Sequence, residues 1–278
     1  MGRAMARRDH GKSRAGGVRA EDRPDSSERH VWGINPVLEA LRARPEAIDR
    51  LLIADGALPT GVSGELQSRA RAARLSVERR PREHLHQLTD GGVHQGVVAV
   101  MRAYAYAEVE DLLEVASQAG EPPLLVALDG IQDPHNLGAI VRSAHALGAH
   151  GLIVTKDRAA PVTGVVAKAS AGAIEHLRIA RVTNLSRTLE DLKQAGLWIA
   201  AADPEGESTL WEARLDGPLA VVVGAEGPGV RPGVLKHCDL KVRIPMAGKV
   251  ASLNASVSAA LLIGEVARQR VMRSKEGA

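Results

Sequence analysis

Several residue types are scarce in this chain of 278 residues, and each scarcity excludes a class of protein. The single cysteine, Cys238, cannot form a disulfide within the chain, and no cluster of cysteines and histidines predicts a zinc site. No run of about 18 uncharged apolar residues is present, so we expect no membrane span. The polar N-terminus lacks the apolar segment of a secretion signal. We therefore expect a cytoplasmic protein that binds no metal.

Aromatic residues are also rare: the chain has no phenylalanine, two tyrosines and three tryptophans. Proteins that bind single-stranded nucleic acid usually stack the bases on aromatic side chains, and this sequence offers few of them. Arginines are abundant instead, and they cluster within residues 1–20 and 69–82. Guanidinium groups bind phosphates through paired hydrogen bonds, so the clusters favour an RNA held by its backbone and shape. A solvated tail and a charged helix face are the alternative interpretation.

The composition divides the chain into three parts. Residues 1–29 are polar and highly charged without periodicity, which is typical of a disordered basic tail. Residues 30–102 combine a helical stripe after Asn35 with short apolar runs, and this pattern predicts a small α/β domain. Residues 103–278 repeat a strand-then-helix rhythm and predict a second, larger domain.

The larger domain contains five near-continuous apolar runs, which are typical of parallel strands buried on both faces. They lie at 123–130, 150–155, 197–203, 219–227 and 240–246. Helical patterns separate most of them, and a long one at 252–272 follows the last. The sequence therefore predicts an open α/β sheet whose ligands bind beyond the carboxyl ends of its strands.

The loop after the first of these strands continues into a helix with the sequence NLGAIVRSA, 136–144. Asn136 has the residue type of an N-cap. Gly138 and Arg142 are one turn apart, and helical side chains lean toward the N-terminus of their helix. The spacing favours an arginine that extends over an open glycine floor into a ligand site. A surface arginine fits the same pattern.

The segment VVVGAEGPGV, 221–230, follows another buried strand and places three glycines around Glu226. Its spacing, G-x-x-G-x-G, differs from the G-x-G-x-x-G of dinucleotide sites. This difference counts against an NAD-dependent oxidoreductase, which is the rival interpretation of a glycine-rich turn in such a sheet. By itself the segment indicates only a sharp turn.

The segment IPMAGKVASLNASVSAALLI, 244–263, enters the last helix near Ser252, a residue that can cap it. Asn254, Ser256 and Ser258 surround the first turns with small polar groups. A core helix would not use such residues there. The pattern favours a helix N-terminus that faces a polar ligand or a partner subunit.

In this order and spacing, the three segments resemble the signature motifs of the SpoU (TrmH-like) family of RNA ribose 2′-O-methyltransferases. The resemblance extends over 123–270. The N-terminal unit, with GINPVLEAL and HQGVVA, resembles the L30e-like RNA-binding domain of a subgroup that methylates a guanosine in 23S ribosomal RNA. The resemblance implies S-adenosylmethionine as cofactor and a SPOUT-type fold, in which the open parallel α/β sheet is tied into a trefoil knot. General topology alone predicts no knot.

The resemblance also implies roles for individual residues. The polar positions of the family's catalytic site correspond to Asn136, Arg142, Glu226, Ser252 and Asn254. Its cofactor contacts correspond to backbone groups of Gly224, Ile244 and Leu253. Arginine resists deprotonation, so we expect Arg142 to orient the ribose hydroxyl and its phosphate rather than to act as a base.

Family members are homodimers whose sites use both subunits, so the resemblance implies a homodimer that acts on 23S ribosomal RNA. Two alternatives stay open. One is a tRNA ribose 2′-O-methyltransferase, and the other is an RNA-binding factor without catalytic activity.

Overall fold

The computed structural model describes residues 28–56, 58, 61–249 and 252–276. The described chain forms two α/β units, one on each side of residues 103–107. The predicted basic tail lies outside the described residues except for its last two, which belong to the first strand. No described helix is long and apolar enough to cross a membrane.

The N-terminal unit is a four-stranded sheet with three helices. Its elements are β1 (Glu28–Trp32), α1 (Ile34–Ala43), β2 (Ile48–Ala54), α2 (Val62–Ala72), β3 (Ser76–Arg80), α3 (Arg82–Leu88) and β4 (Val97–Arg102). The strand order is β1-β4-β2-β3, in which only the β2–β3 pair is parallel. The predicted runs correspond to β2, β3 and β4, whereas β1 and α3 have no counterpart in the predictions.

The larger unit contains a seven-stranded sheet in the order β7-β6-β5-β10-β8-β11-β9, and its strand pairs are parallel. Its elements are α4 (Val109–Ala119), β5 (Leu124–Asp129), α5 (Pro134–Ala146), β6 (Gly151–Thr155), α6 (Gly164–Ala169), β7 (Ile179–Val182), α7 (Leu185–Gln194), β8 (Trp198–Ala202), β9 (Ser208–Thr209), β10 (Leu219–Gly224), α8 (Pro232–Leu235), β11 (Leu240–Arg243) and α9 (Ala255–Glu276).

The predicted open α/β sheet and its five strands are confirmed. β7 and the two-residue β9 were not predicted, because each is too short to form a clear apolar run. The central strands β5, β6 and β10 are fully buried, as runs covered on both faces require. The trefoil knot stays a prediction.

The register of the sheet brings two of the three motif loops together. β10 pairs with β5 so that Gly224 lies opposite Asp129, the last residue of each strand. The loops after these strands therefore leave the sheet side by side. β8 and β11 end at the same edge of the sheet, next to β10.

α5 begins one turn earlier than the motif predicts. Asp133, and not Asn136, is its cap: the Asp133 side chain accepts a hydrogen bond from the backbone N–H of His135 at 2.9 Å. Pro134 occupies the first helical position, which the fixed φ angle of proline favours. Asn136 therefore lies inside the helix, and its side chain is free for other contacts.

The two units share one hydrophobic cluster, which includes Val31 and Val37 on one side and Val166 and Ile174 on the other. An ion pair also crosses the interface: Arg29 contacts Glu175 at 2.8 Å, and both side chains are buried. The chain changes units near residue 103, but the core continues across the boundary.

Candidate active site

A cavity lies beyond the carboxyl ends of β8, β10 and β11, where an open α/β sheet binds its ligands. All three motif loops lie near it. Five of the eight predicted site residues line its wall, namely Gly224, Glu226, Ile244, Ser252 and Leu253. The three others lie outside this lining and are described in turn below.

The side-chain amide of Asn254 joins this residue to two other predicted catalytic residues, Asn136 and Glu226. Its Nδ2 donates a hydrogen bond to Oδ1 of Asn136 at 2.9 Å and a longer one to Oε2 of Glu226 at 3.4 Å. Its Oδ1 accepts hydrogen bonds from the backbone N–H of Ser256 at 2.9 Å and from the Ser256 hydroxyl at 2.6 Å. Because the oxygen faces the helix N–H, the NH2 group must face Asn136 and Glu226.

Asn254 is thus also the cap of α9, and the prediction that Ser252 caps this helix is wrong. The helix begins at Ala255, three residues after the predicted start. Asparagine and serine are about equally good caps, so local preference does not separate them. Asn254 has a second amide atom with partners on α5 and in the loop after β10, and Ser252 is left exposed on the cavity wall.

The glycines after β10 allow a turn that side chains would block. A Cβ atom on Gly224 would lie 2.0 Å from the carbonyl carbon of Gly229. Gly227 and Gly229 have φ angles of 87° and 66°, in the left-handed region that favours glycine. The G-x-x-G-x-G spacing therefore encodes a tight turn around Glu226.

A buried carboxylate that the sequence predictions missed holds this turn in place. Asp129, at the end of β5, accepts hydrogen bonds from the backbone N–H and from Nε of Arg231, both at 2.8 Å. The Asp129 carbonyl accepts another from the backbone N–H of Ala225 at 3.0 Å. The hydrogen bonding with Asp129 raises the pKa of the Arg231 guanidinium. The available signal was an aspartate at the carboxyl end of an apolar run.

Gly138 does not form the open floor that the sequence predicts beneath Arg142. A Cβ atom on Gly138 would lie 2.4 Å from Cβ of Ala169 and 2.9 Å from the carbonyl oxygen of Val166. The glycine therefore lets α5 and α6 pack closely, and its prediction as a ligand floor is wrong.

Arg142 is exposed on α5 and outside the cavity lining. Its side chain forms no hydrogen bond or ion pair with the residues that the structure describes. Its guanidinium donors are therefore available to a ligand or to another chain. The catalytic role of Arg142 stays a prediction.

The cavity has an acidic lining. Asp203, directly after β8, joins Glu226 on the wall, and none of the described lining residues is a lysine, arginine or histidine. Asp203 ends a predicted strand but was not among the predicted site residues. Among the described residues there is no group of three or more histidine, cysteine, aspartate or glutamate side chains that could hold a metal ion.

Residues 123–264 match the SpoU rRNA Methylase family. This chain belongs to that family. Residues 30–107 match a second family, described as RNA 2′-O ribose methyltransferase substrate binding. The resemblance stated from the three motifs and the N-terminal unit is confirmed.

Relatives and solved structures agree with this assignment. YacO of Bacillus subtilis (strain 168), provisionally named a TrmH family tRNA/rRNA methyltransferase, is 44% identical over 249 residues, which are 88% of this chain and 98% of YacO. The 23S rRNA (guanosine-2′-O-)-methyltransferase RlmB of Neisseria meningitidis serogroup B (strain ATCC BAA-335 / MC58) is 40% identical over 252 residues, 90% of this chain and 99% of RlmB.

Among solved structures, the SpoU methyltransferase AviRb from Streptomyces viridochromogenes, in complex with AdoMet, aligns with a TM-score of 0.74. It is 27% identical, and the alignment covers 88% of this chain and 92% of AviRb. The predicted SpoU-type α/β fold with a smaller N-terminal substrate-binding domain is confirmed.

Proposed function

We propose that this protein transfers a methyl group from S-adenosylmethionine to the ribose 2′-hydroxyl of a guanosine in 23S ribosomal RNA. The observation that carries the proposal is the hydrogen bonding of Asn254 to Asn136 and Glu226 beside the cavity. Membership of the family supports the reaction class, and the name of the Neisseria relative supports the guanosine target.

The cavity lining fits S-adenosylmethionine and disfavours a dinucleotide. Two carboxylates and no basic group among the described lining residues favour a cationic ligand over a pyrophosphate. Apolar side chains such as Ile244 and Leu253 cover the rest of the wall. When bound, S-adenosylmethionine supplies an electrophilic methyl group on a positively charged sulfur. Backbone groups of Gly224, Ile244 and Leu253 would hold it.

The three linked side chains provide complementary polar groups for a ribose hydroxyl. Glu226 supplies the carboxylate of this trio, an acceptor for the hydroxyl proton, whereas the amides of Asn136 and Asn254 are not bases. Asn136 uses its Oδ1 to accept from Asn254, so its NH2 group remains for the substrate oxygen. A donor and an acceptor beside one hydroxyl keep it aligned for attack, at the roughly 3–3.5 Å that transfer requires. Ser252 adds a hydroxyl on the wall.

Arg142 completes the site, in our proposal, within a homodimer. The start of α9 exposes two apolar side chains one turn apart, Val257 at 45% and Leu261 at 37%. Burial of these side chains against a second copy would be favourable, and it would bring the second copy close to the site. The Arg142 guanidinium stays protonated, so it would orient the hydroxyl and the adjacent phosphate rather than remove a proton.

A tRNA substrate is the second candidate, because the name of the Bacillus relative covers both tRNA and rRNA. Incubation with methyl-labelled S-adenosylmethionine and separated, unmodified 23S, 16S and transfer RNAs distinguishes the two. We expect label in 23S RNA, on a guanosine ribose. Label in transfer RNA would favour the second candidate.

A matched pair of variants tests whether the residues beside the cavity carry out the RNA methylation. Asn254→Ala removes the amide that joins Asn136 and Glu226, and we expect it to abolish labelling. Ser256→Ala removes one hydroxyl that bonds the same amide and should retain most activity. Cofactor binding by the wild type without label in any RNA would mean an RNA-binding factor without catalytic activity.

A further inference from the structure

A second cavity lies between the two units, at the opposite end of the larger sheet from the candidate active site. Four arginines from four separate segments line it: Arg29 of β1, Arg44 after α1, Arg102 at the end of β4 and Arg178 before β7. Its volume is about 450 Å³, within the range of roughly 300–1,000 Å³ that is usual for ligand pockets. The lining also includes the carboxylates of Glu46 and Asp111, and Glu175 and Asp49 pair with two of the lining arginines, so the formal charges of the four arginines and these four carboxylates balance.

Two of the four guanidinium groups are held in place by contacts within the chain. Arg29 donates to Oε1 of Glu175 at 2.8 Å, and Arg44 donates through Nε to the backbone carbonyl of Glu175 at 3.1 Å. Both also lie against the ring of Tyr104, at 5.6 and 5.5 Å from its centroid. Cations ordered in advance lose less conformational entropy when they bind an anion.

Two of the four guanidinium groups have no carboxylate partner among the described residues. Arg29 pairs with Glu175, and Arg102 lies 3.7 Å from Asp49. Arg44 donates to a neutral carbonyl, and the side chain of Arg178 is exposed and forms no hydrogen bond or ion pair with any described residue. The Nε and NH1 atoms of Arg29 are buried without an acceptor. The guanidinium donors of Arg178 are therefore left without a partner among the described residues.

We infer that this arginine cavity binds a phosphate group, and that the phosphate belongs to the RNA substrate. Guanidinium groups match phosphate oxygens through paired N–H donors. The assignment to RNA rests on the proposed function, whereas the assignment to phosphate rests on the cavity alone. An RNA bound here contacts both units at once, since arginines of both line the cavity.

The phosphate belongs to a nucleotide remote from the methylated ribose. β7 and β10 are separated by three strand spacings of about 4.8 Å each. The arginine cavity lies at the amino end of β7, whereas the candidate active site lies at the carboxyl end of β10. The cavity therefore contributes to RNA affinity and position without touching the reacting atoms.

The test compares Arg178→Gln with Arg187→Gln in the full-length protein. Both remove one exposed arginine of the larger unit whose side chain has no partner among the described residues, but Arg187 lies on α7, outside the cavity lining. Affinity for a 23S RNA transcript is measured across a salt series, without turnover. We expect Arg178→Gln to weaken binding about tenfold and to reduce the salt slope by about 0.7–0.9. Arg187→Gln should change neither, and affinity for S-adenosylmethionine should not change in either variant.

Inorganic phosphate distinguishes the two sources of the anion. Melting temperatures are compared in phosphate and in chloride at equal ionic strength, for wild type and Arg178→Gln. Stabilisation by phosphate that Arg178→Gln abolishes, together with the RNA effect, supports the proposal even if no RNA is methylated. The same stabilisation with unchanged RNA affinity would overturn RNA as the source and leave a free phosphate compound. No effect in either measurement would overturn the site.

Discussion

The cavity beside Glu226 and the cavity beside Arg178 lie at opposite ends of one sheet and present different charged groups. The first has two carboxylates and no basic side chain among its described lining residues, whereas the second has four arginines. The first suits a cationic sulfonium and the second suits a phosphate. In the proposed function, this difference would keep the cofactor and the RNA backbone at separate sites.

The two cavities also differ in how the chain builds them. Loops of the larger unit alone form the acidic cavity, and each follows a strand of its sheet. Both units form the arginine cavity, from segments as distant as β1 and β7. Substitutions test these differences between the two cavities, and their expected effects differ in size.

The largest effect is expected from Arg142. Because the described lining of the acidic cavity has no cation, the group that orients the substrate phosphate must come from outside it. Arg142→Ala should lower turnover by roughly 10²–10³-fold, with affinity for S-adenosylmethionine within about twofold. Single-turnover methylation and cofactor titration measure the two quantities, with Arg187→Ala as the control. Wild-type turnover in Arg142→Ala would mean that Arg142 is a surface arginine without a role in catalysis.

The next effect concerns the ion pair that supports the arginine cavity. Arg29→Ala leaves the Glu175 carboxylate buried without its partner, and the free energy of unfolding should fall by about 3–5 kcal/mol. Arg80→Ala, which removes a pair with Glu78 at an exposed strand, should cost about 0–1 kcal/mol. Urea unfolding measures both.

A double variant tests whether the lost stability comes from the unpaired charge. Arg29→Met/Glu175→Leu replaces both charges with apolar groups and should recover most of the lost stability, because no unpaired charge stays buried. Equal losses in the single and double variants would mean that packing, rather than charge, joins the two units here.

A smaller effect is expected at Gly138, which shares a face of α5 with Arg142. Gly138→Ala forces a Cβ atom against Ala169 and the Val166 carbonyl, so it should destabilise the fold by about 1–3 kcal/mol. Gly264→Ala is the matched control in α9, because its nearest atom lies 4.0 Å away. That control should be stabilising by about 0.5–1 kcal/mol. An unchanged free energy of unfolding in Gly138→Ala would mean that the space beside Gly138 is open, as the sequence predicted.

The smallest effect is a pH dependence at the amino end of the sheet. Burial lowers the pKa of His150 below its ordinary 6.5; Arg270 adds to the shift, and Glu121 opposes it. The neutral ring accepts a hydrogen bond at Nδ1 from the backbone N–H of Leu124 at 3.0 Å. A lowered pKa in the folded state means that the unfolded chain binds more protons, so the stability from this group is lost as the pH falls below about 6.5.

His150→Asn keeps an acceptor without a titrating group. We therefore expect its free energy of unfolding to fall less than that of the wild type between pH 7.5 and 5.5, as measured by urea unfolding at each pH. The exposed His84→Asn should follow the wild type. If His150→Asn showed the same pH dependence as the wild type, the loss of stability at low pH would come from other titrating groups.

The sequence by itself determined the sheet, the three motif loops and most of the cavity wall. Strands buried on both faces must be apolar along their whole length, so the runs at β5, β6 and β10 were recognisable. β8 and β11 were recognisable from their apolar runs as well, although Trp198 and Lys241 are exposed. Each motif is contiguous, and a parallel sheet brings the carboxyl ends of its strands to one edge. The resemblance of the motifs to the SpoU family implied that Glu226, Ser252 and Leu253 belong to one site, and this geometry explains why they are neighbours.

Tertiary structure alone decided the contacts that cross long stretches of chain. Asn254 and Asn136 are 118 residues apart, and Arg29 and Glu175 are 146 apart. Local periodicity carries no information about such pairs, since strand register and helix packing create them. The same reason explains Gly138, whose neighbour is α6 rather than a ligand. It also explains the start of α9, where two equally good caps were available and only the fold gave Asn254 its partners Asn136 and Glu226.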